Sequence, residues 1–139
     1  MLRPLTFPRR TMSKKVIHTA DAPAAIGPYS QAVAAGGMLY VSGQIPLDPA
    51  SGQLLEGDTA AQARLVLTNL EAILKAGGCG FEDVVRSTIF LTDLADFAAV
   101  NVIYGEKFSA PFPARVTIQV AALPRGAKVE IDAVALIPS

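Results

Sequence analysis

The sequence predicts one α+β domain in which a mixed β-sheet carries two helices on one of its faces. Several short runs alternate apolar and polar residues, and two longer runs have helical periodicity. Their order along the chain is β-β-(β)-α-β-α-β-β, which favours two layers. A length of 139 residues fits one domain, and a composition of 51% hydrophobic and 17% charged residues indicates a large core.

Glycine and proline separate the first strands. We expect strands at residues 16–18, 30–35 and 38–44, with the glycine pair at 36–37 turning the last two into a hairpin. A proline- and glycine-containing loop follows, and residues 53–55 predict a further short strand.

The first helix has the clearest signals of the chain. Residues 59–62 read Thr-Ala-Ala-Gln and predict a capping box, with Asp58 adding negative charge at the helix N-terminus. A pair of glycines at 77–78 ends the helix. One face carries apolar residues at spacings of three and four, namely Ala63, Val66, Leu67, Leu70, Ile73 and Leu74.

The second half of the chain predicts a strand at 84–91, a helix from Asp93 or Asp96 to Phe108, and two final strands. Of these last strands, 115–120 places Arg115, Thr117 and Gln119 on one face, and 128–137 carries Glu130. Two helices cover only one face of such a sheet, yet the strands are apolar on both faces. We therefore expect the uncovered face to be buried in a homo-oligomer.

Charge and composition exclude several classes of function. Five of the 12 basic residues precede Asp21, which is the first acid, and the rest of the chain holds 7 basic and 12 acidic residues. That balance disfavours binding of nucleic acid. The single cysteine, Cys79, and the single histidine, His18, form no metal-ligand cluster, so we expect no metal site. No apolar run reaches the roughly 20 residues of a membrane span, which predicts a soluble protein.

Residues 1–12 differ from the remainder because they are basic, lack acids and contain two prolines. We interpret them as an N-terminal extension, either an upstream start before Met12 or the remnant of a targeting segment. The single domain then spans 13–139. The first interpretation predicts a cytoplasmic protein and the second a mitochondrial one.

Two charged residues of the final strands are the main candidates for chemistry. The forked guanidinium of Arg115 suits a carboxylate, although an arginine alone is more often a surface ion pair. A partly desolvated Glu130 would exchange protons near neutrality, or else pair structurally with Lys128 or Arg125. If the last two strands form a plain hairpin, these two residues lie roughly 16 Å apart. A ligand that meets both would then bind between subunits.

Three residues of the first half are further candidates for a ligand cleft. Tyr29 follows a Gly-Pro turn, and Ser42-Gly43 ends a strand. A glycine lets a ligand approach the backbone N–H, but it equally suits a β-bulge, and Tyr29 equally suits a core aromatic.

The chain closely resembles the RidA (YjgF-type) family of enamine/imine deaminases from about Val16 to its end. The motifs that carry the resemblance are Gly27-Pro28-Tyr29-Ser30-Gln31-Ala32, Val41-Ser42-Gly43-Gln44-Ile45-Pro46, Pro113-Ala114-Arg115, Val120-Ala121-Ala122-Leu123-Pro124 and Val129-Glu130-Ile131.

The resemblance implies a chorismate-mutase-like fold and a homotrimer with three sites between subunits. It implies hydrolysis of imines such as 2-aminoacrylate to 2-oxo acids and ammonia, which protects pyridoxal-phosphate enzymes. Arg115 would bind the substrate carboxylate and Glu130 would position water or move its proton. Tyr29, Ser42-Gly43 and Thr117 would line the cleft, although many members have cysteine where this chain has Thr117.

Two other functions stay open from the sequence. The family also has members linked to ribonuclease activity or inhibition of translation, which the acidic body of this chain disfavours. A ligand-sensing or chaperone-like trimer without turnover would use Arg115 to bind carboxylates and would not need Glu130.

Overall fold

The structure is a computed structural model that describes residues 13–139. The predicted extension 1–12 lies outside the described residues. The elements are β1 Lys15–Ile17, β2 Ala32–Ala35, β3 Met38–Gln44, α1 Thr59–Ala76, β4 Val84–Leu91, α2 Phe97–Lys107, β5 Ala114–Gln119 and β6 Val129–Leu136. Within the range 13–139 no helix is long and apolar enough to cross a membrane.

The six strands form one mixed sheet in the order β1-β2-β3-β6-β4-β5. All neighbours are antiparallel except β4 and β5, which are parallel. The predicted α+β class with a mixed sheet and two helices is therefore confirmed.

The plain hairpin of the last two strands is wrong. A helix, α2, connects β4 to β5, and a strand–helix–strand connection places the two strands parallel and in one sheet. The chain then returns through a turn at 124–126, and β6 pairs with both β3 and β4. As a result β4 separates β5 from β6, and Arg115 and Glu130 do not lie on adjoining strands.

The apolar face of α1 forms the centre of the core. All six of its predicted apolar residues are 0% exposed, and they pack over β3 and β6. The buried Asn69 on the same face donates from its side-chain amide to the carbonyl oxygen of Leu47 at 2.9 Å. The loop that contains Leu47 forms only an isolated bridge to Leu54, so the predicted strand at 53–55 reduces to one residue pair.

The N-terminus of α1 differs from the predicted capping box. The cap is Asp58, whose carboxylate accepts from the backbone N–H of Ala61 at 2.8 Å. Thr59 is the first helical residue, and its hydroxyl donates to Asp96 at 2.6 Å, which ties α1 to the start of α2. Gln62 accepts from the backbone N–H of Lys128 at 2.9 Å. The capping box does not form, because the side chains of Thr59 and Gln62 make these tertiary hydrogen bonds instead.

The face of the sheet opposite the helices is apolar and uncovered in the single chain. Residues that are paired across neighbouring strands point to the same face of the sheet, so the pairing shows which side chains lie on this open face. Its exposed hydrophobic residues are Val16, Tyr40, Val116, Ile118 and Leu136. On β5 the apolar side chains lie on this open face and the polar ones on the helix face, which reverses the usual arrangement for a strand of a monomer.

Replacing the cap of α1 tests its contribution to stability. Asp58→Ala should lower the free energy of unfolding by about 1 kcal/mol, because the N–H of Ala61 loses its partner. Urea denaturation followed by circular dichroism measures the loss. Glu56→Ala removes an exposed acid nearby and is the control. An equal loss in both variants would show that charge, and not capping, is responsible.

Candidate active site

Arg115 and Glu130 lie on opposite faces of the sheet. Arg115 pairs with Ser87, which is buried under the helices, whereas Glu130 pairs with Phe90 on the open face. The register puts the two residues three positions apart along the strands and two strands apart across them. Their Cα atoms are then roughly 14 Å apart. One chain therefore does not bring the predicted catalytic pair together.

The guanidinium of Arg115 is held by neutral groups of α2. Its Nη1 donates to the side-chain oxygen of Asn101 at 2.9 Å. Its central carbon lies 4.9 Å from the ring centroid of Tyr104 and 5.5 Å from that of Phe97, which are cation–π distances. The hydroxyl of Tyr104 in turn forms a buried 2.6 Å hydrogen bond with the hydroxyl of Ser87. These contacts from one face of α2 orient the side chain of Arg115.

The positive charge of Arg115 stays available. Among residues 13–139, no carboxylate lies within ion-pair distance of Arg115. The ion pair that this part of the chain does contain joins Arg64 to Glu106. An amide oxygen and aromatic faces orient a guanidinium without neutralising it. Asn101 and Tyr104 were not predicted as site residues, although their spacing from Phe97 on a helix places all three on one face.

The cleft beside Arg115 has a volume of about 440 Å³ and is lined by Asn101, Tyr104, Gly105, Phe112, Pro113 and Arg115. Thr117 follows Arg115 on the same face of β5. Its hydroxyl oxygen is buried and has no hydrogen-bond partner among the described residues. Most buried hydroxyls have a hydrogen-bond partner, and the Thr117 hydroxyl is an exception to this rule. Its hydrogen-bonding capacity is therefore unused within the described part of the chain.

A second cleft, of about 660 Å³, contains Glu130 and brings together the other predicted residues, Tyr29, Ser42 and Gly43. Tyr29 is 54% exposed and follows Gly27, whose φ of 121° creates the turn, so it is not a core aromatic. Ser42 donates its hydroxyl to the carbonyl oxygen of Ser30 at 2.6 Å and thereby fixes the cleft wall. Arg125, which was considered above only as an ion-pair partner of Glu130, also lines this cleft, and its Nη2 donates to the carbonyl oxygen of Gly52 at 3.3 Å.

Gly43 is required by the carboxyl group of Glu130. The register between β3 and β6 shifts between Val41 and Gln44, so Ser42 and Gly43 form a bulge opposite Asp132, and the side chain of Glu130 reaches this bulge at Gly43. A Cβ atom at position 43 would overlap the Glu130 carboxyl oxygen and carbon. Of the two predicted explanations for this glycine, the β-bulge is present. The group that comes close to its backbone is the carboxyl of Glu130.

The surroundings of Glu130 favour its protonated form. Burial, and after it the negative charge of Asp132, raise the pKa of the Glu130 carboxyl. Asp132 is itself fixed, because its Oδ1 accepts from the backbone N–H of Thr88 at 2.9 Å. A carboxyl with a raised pKa accepts and returns a proton more readily near neutral pH than an ordinary glutamate does.

The fold and the two clefts define a two-layer α+β protein with an unneutralised guanidinium in one cleft and, in the other, a carboxyl whose pKa is raised by burial. A family model described as Endoribonuclease L-PSP matches residues 19–137. The chain belongs to this family, which includes the RidA (YjgF-type) proteins.

Individual relatives agree with this assignment. The chain is 60% identical over 129 residues to Protein DfrA of Myxococcus xanthus, covering 91% of this chain and 98% of the relative. It is 53% identical over 126 residues to the 2-iminobutanoate/2-iminopropanoate deaminase of Bos taurus, covering 91% and 92%. The crystal structure of RidA from an Antarctic Psychrobacter species matches with a TM-score of 0.85 at 47% identity, covering 88% and 99%.

Gly43→Ala should displace the carboxyl group of Glu130 and leave the fold intact. We expect the variant to lose at least about tenfold in kcat/KM toward the substrate proposed below, because a shift of about 1 Å in a catalytic group has effects of up to 10²-fold. Gly57→Ala is the matched control, since its Cβ would meet only Ala61 at 3.4 Å. Equal activity of the two variants would show that the position of Glu130 is unimportant.

The raised pKa of Glu130 predicts a pH effect on stability. A carboxyl whose pKa is raised by folding stabilises the native state when protonated, and this contribution is lost as pH rises from roughly 4.3 through the raised folded value. Glu130→Gln removes this decrease in stability, because glutamine does not ionise. The difference in Tm between variant and wild type, measured by calorimetry from about pH 4 to pH 7, should therefore shift in favour of the variant as pH rises. A constant difference would contradict the raised pKa.

Proposed function

We propose that this protein hydrolyses reactive enamines and imines of the 2-aminoacrylate and 2-iminobutanoate type to 2-oxo acids and ammonia. The observation that carries the proposal is the relation to proteins named as deaminases at 52–54% identity, over 88–91% of this chain. The two clefts supply groups that suit this reaction. It is a small-molecule activity, for which we expect no metal, no cofactor and no nucleic acid.

Each predicted residue has a role in this proposal. Arg115 binds the substrate carboxylate, and Thr117 lies beside it. Glu130 acts as the proton carrier, while Tyr29 and the Ser42-Gly43 segment form the wall around it.

The chemistry needs only a carboxylate anchor and one proton carrier. Water adds to the carbon of the protonated imine: a C–O bond forms, the C=N π bond breaks, and ionised Glu130 accepts one proton from the water. The neutral carbinolamine then receives that proton from Glu130 on its nitrogen, and its C–N bond breaks as the hydroxyl oxygen forms the C=O bond. The hydroxyl proton passes to the departing ammonia, so the products are a 2-oxo acid and ammonium, and Glu130 is ionised again.

The site is proposed to form between copies in a homotrimer. Arg115 and Glu130 lie on opposite faces of one sheet, and the open face carries the exposed apolar residues that a partner copy would cover. Because β5 is an edge strand, a second copy whose β5 edge meets the open face beside Glu130 would bring its own Arg115 cleft toward that residue. Both requirements, covering the face and completing the site, are then met by one interface.

The proposed role is protective. By removing reactive imines the protein would spare pyridoxal-phosphate enzymes, and we expect it in the cytoplasm, or in mitochondria if residues 1–12 are a targeting remnant. The family description names an endoribonuclease. The excess of 12 acidic over 7 basic residues after Lys15 disfavours RNA binding, so ribonuclease activity is not proposed.

Arg115→Ala should abolish the acceleration of imine hydrolysis. A threonine/serine dehydratase generates 2-aminoacrylate, and pyruvate is followed under conditions where spontaneous hydrolysis is slow. We expect a loss of at least about 10²-fold in kcat/KM for Arg115→Ala, since removing a charged anchor typically costs 2–5 kcal/mol. Arg64→Ala, which removes an arginine paired with Glu106 on the surface, is the control.

Other results of this assay would redirect the proposal. Failure of an assembled wild-type protein to accelerate hydrolysis would refute the deaminase function. Full activity of Glu130→Gln would remove the proton-carrying role, and carboxylate binding without turnover would favour a sensing function.

Mixing two inactive variants tests the divided site. When Arg115→Ala and Glu130→Ala chains are unfolded, mixed in equal amounts and refolded, a hybrid trimer contains one interface with an intact arginine and an intact glutamate. Random assembly should restore about one quarter of the wild-type activity. Size-exclusion chromatography with light scattering verifies assembly. Assembled hybrids without activity would show that both residues must belong to the same chain, which would contradict the divided site.

A further inference from the structure

The segment 18–31 connects β1 to β2 and has no regular secondary structure. Two of its side chains, Ile26 and Tyr29, line the Glu130 cleft, and Ile26 is 84% exposed there. Hydrogen bonds of a helix or sheet do not hold such a segment, so its shape depends on side chains that anchor it to the scaffold. The position of this wall of the cleft therefore depends on that anchor.

The anchor is the side-chain amide of Gln31, which is 3% exposed. Its Oε1 accepts from the backbone N–H of Thr19 at 2.8 Å. Its Nε2 donates to the carbonyl oxygens of Thr19, Ala22 and Pro23 at 3.0, 3.3 and 2.8 Å. Within the described part of the chain, the hydrogen bonds that join residues 19–23 to other segments all end on this amide. One side chain thus holds the first half of the segment.

Gln31 lies directly behind the wall of the Glu130 cleft. Its own carbonyl oxygen accepts from the backbone N–H of Ser42 at 3.0 Å, which fixes it to β3. Together with Tyr29 and Gly43 it lines a small pocket of about 60 Å³. Tyr29 and Gly43 also line the Glu130 cleft, whereas Gln31 does not. The amide therefore supports the wall from the side that faces away from Glu130.

An amide suits this position because it offers two donors and an acceptor without a charge. Three carbonyl oxygens surround its Nε2, and they would repel an ionised carboxylate in the same place. The hydrogen bonds of Gln31 are consequently the same at every pH at which Glu130 gains or loses its proton.

We propose that Gln31 is a positioning residue for the hydrolysis: its amide fixes residues 19–23 and thereby holds Ile26 and Tyr29 in place as a wall of the Glu130 cleft. This inference rests on the proposed deaminase function. Gln31 acts through the wall and not on the reacting atoms. A fixed wall keeps bulk water away from Glu130, so the anchor influences both the rate and the proton exchange of that carboxyl.

The test compares wild type with Gln31→Met, Gln31→Glu and Gln62→Met. Methionine keeps the length of the side chain and removes the hydrogen bonds, whereas glutamate keeps the acceptor for Thr19 and loses the amide donor. Gln62 is the matched control, because it is also buried and its partners, Leu55 and Lys128, line neither the Arg115 cleft nor the Glu130 cleft.

Two measurements are made on each variant. Hydrogen–deuterium exchange followed by mass spectrometry reports the opening of residues 19–30. The dehydratase-coupled assay gives kcat and KM across the pH range in which the wild-type rate falls on acidification.

We expect faster exchange in residues 19–30 of Gln31→Met and a loss of at least about tenfold in kcat, since small displacements around a catalytic group have effects of this size. KM should change less than about threefold, because Arg115 still binds the carboxylate. The acid limb of the kcat profile should move to lower pH, because water that reaches Glu130 reduces the burial that raises its pKa. Gln31→Glu should lie in between. Gln62→Met should lower Tm and keep the wild-type kcat and pH profile.

Wild-type kcat and an unmoved acid limb in both Gln31 variants would overturn the inference and leave the deaminase function in place. An equal loss of kcat in Gln62→Met would also overturn it, because the effect would then follow from lost stability alone. Failure of wild type to accelerate hydrolysis would instead refute the deaminase function, and the positioning role with it.

Discussion

The pairing of β6 between β3 and β4 determines where each functional group lies. This pairing brings the side chain of Glu130 to the bulge of β3, pairs Glu130 with Phe90 of β4, and leaves β5 at the edge of the sheet. The same arrangement covers one face of β6 with α1 and exposes the other. If β6 had paired with β5, the two charged residues would have shared neighbouring strands, and the separation of their clefts would disappear.

The two clefts show opposite electrostatic strategies. Around Arg115 the protein uses an amide oxygen and aromatic rings, which orient the cation and keep its charge. Around Glu130 it uses burial and a neighbouring acid, which make ionisation costly. A permanently charged anchor and a group that exchanges its proton easily are the complementary requirements of adding water to a carboxylate-bearing imine.

Periodicity predicted the fold well where local pattern decides it. The apolar face of α1 and the bounds of β4 appear in the structure as predicted, because burial enforces the spacing. Strand order was not predictable in this way: alternation shows which residues share a face but not which strand lies next, and the parallel β4–β5 pair depends on α2. The capping box failed because Thr59 and Gln62 make tertiary hydrogen bonds that no local pattern encodes.

The grouping of the candidate residues was predicted in part, while their roles stay predictions. Tyr29, Ser42, Gly43 and Glu130 do lie together, and the motifs that they share with RidA proteins indicated them. Asn101 and Tyr104 were missed because a helical asparagine and tyrosine resemble ordinary surface and core residues until Arg115 is placed over them.

The opposite orientation of Arg115 and Glu130 has a consequence for how much protein a cell must hold. If activity needs both residues, it belongs to the assembly, and dilution below the dissociation constant of the interface abolishes catalysis. Specific activity would then rise with chain concentration in a cooperative manner. A modest change in expression would alter the capacity for imine removal more than proportionally.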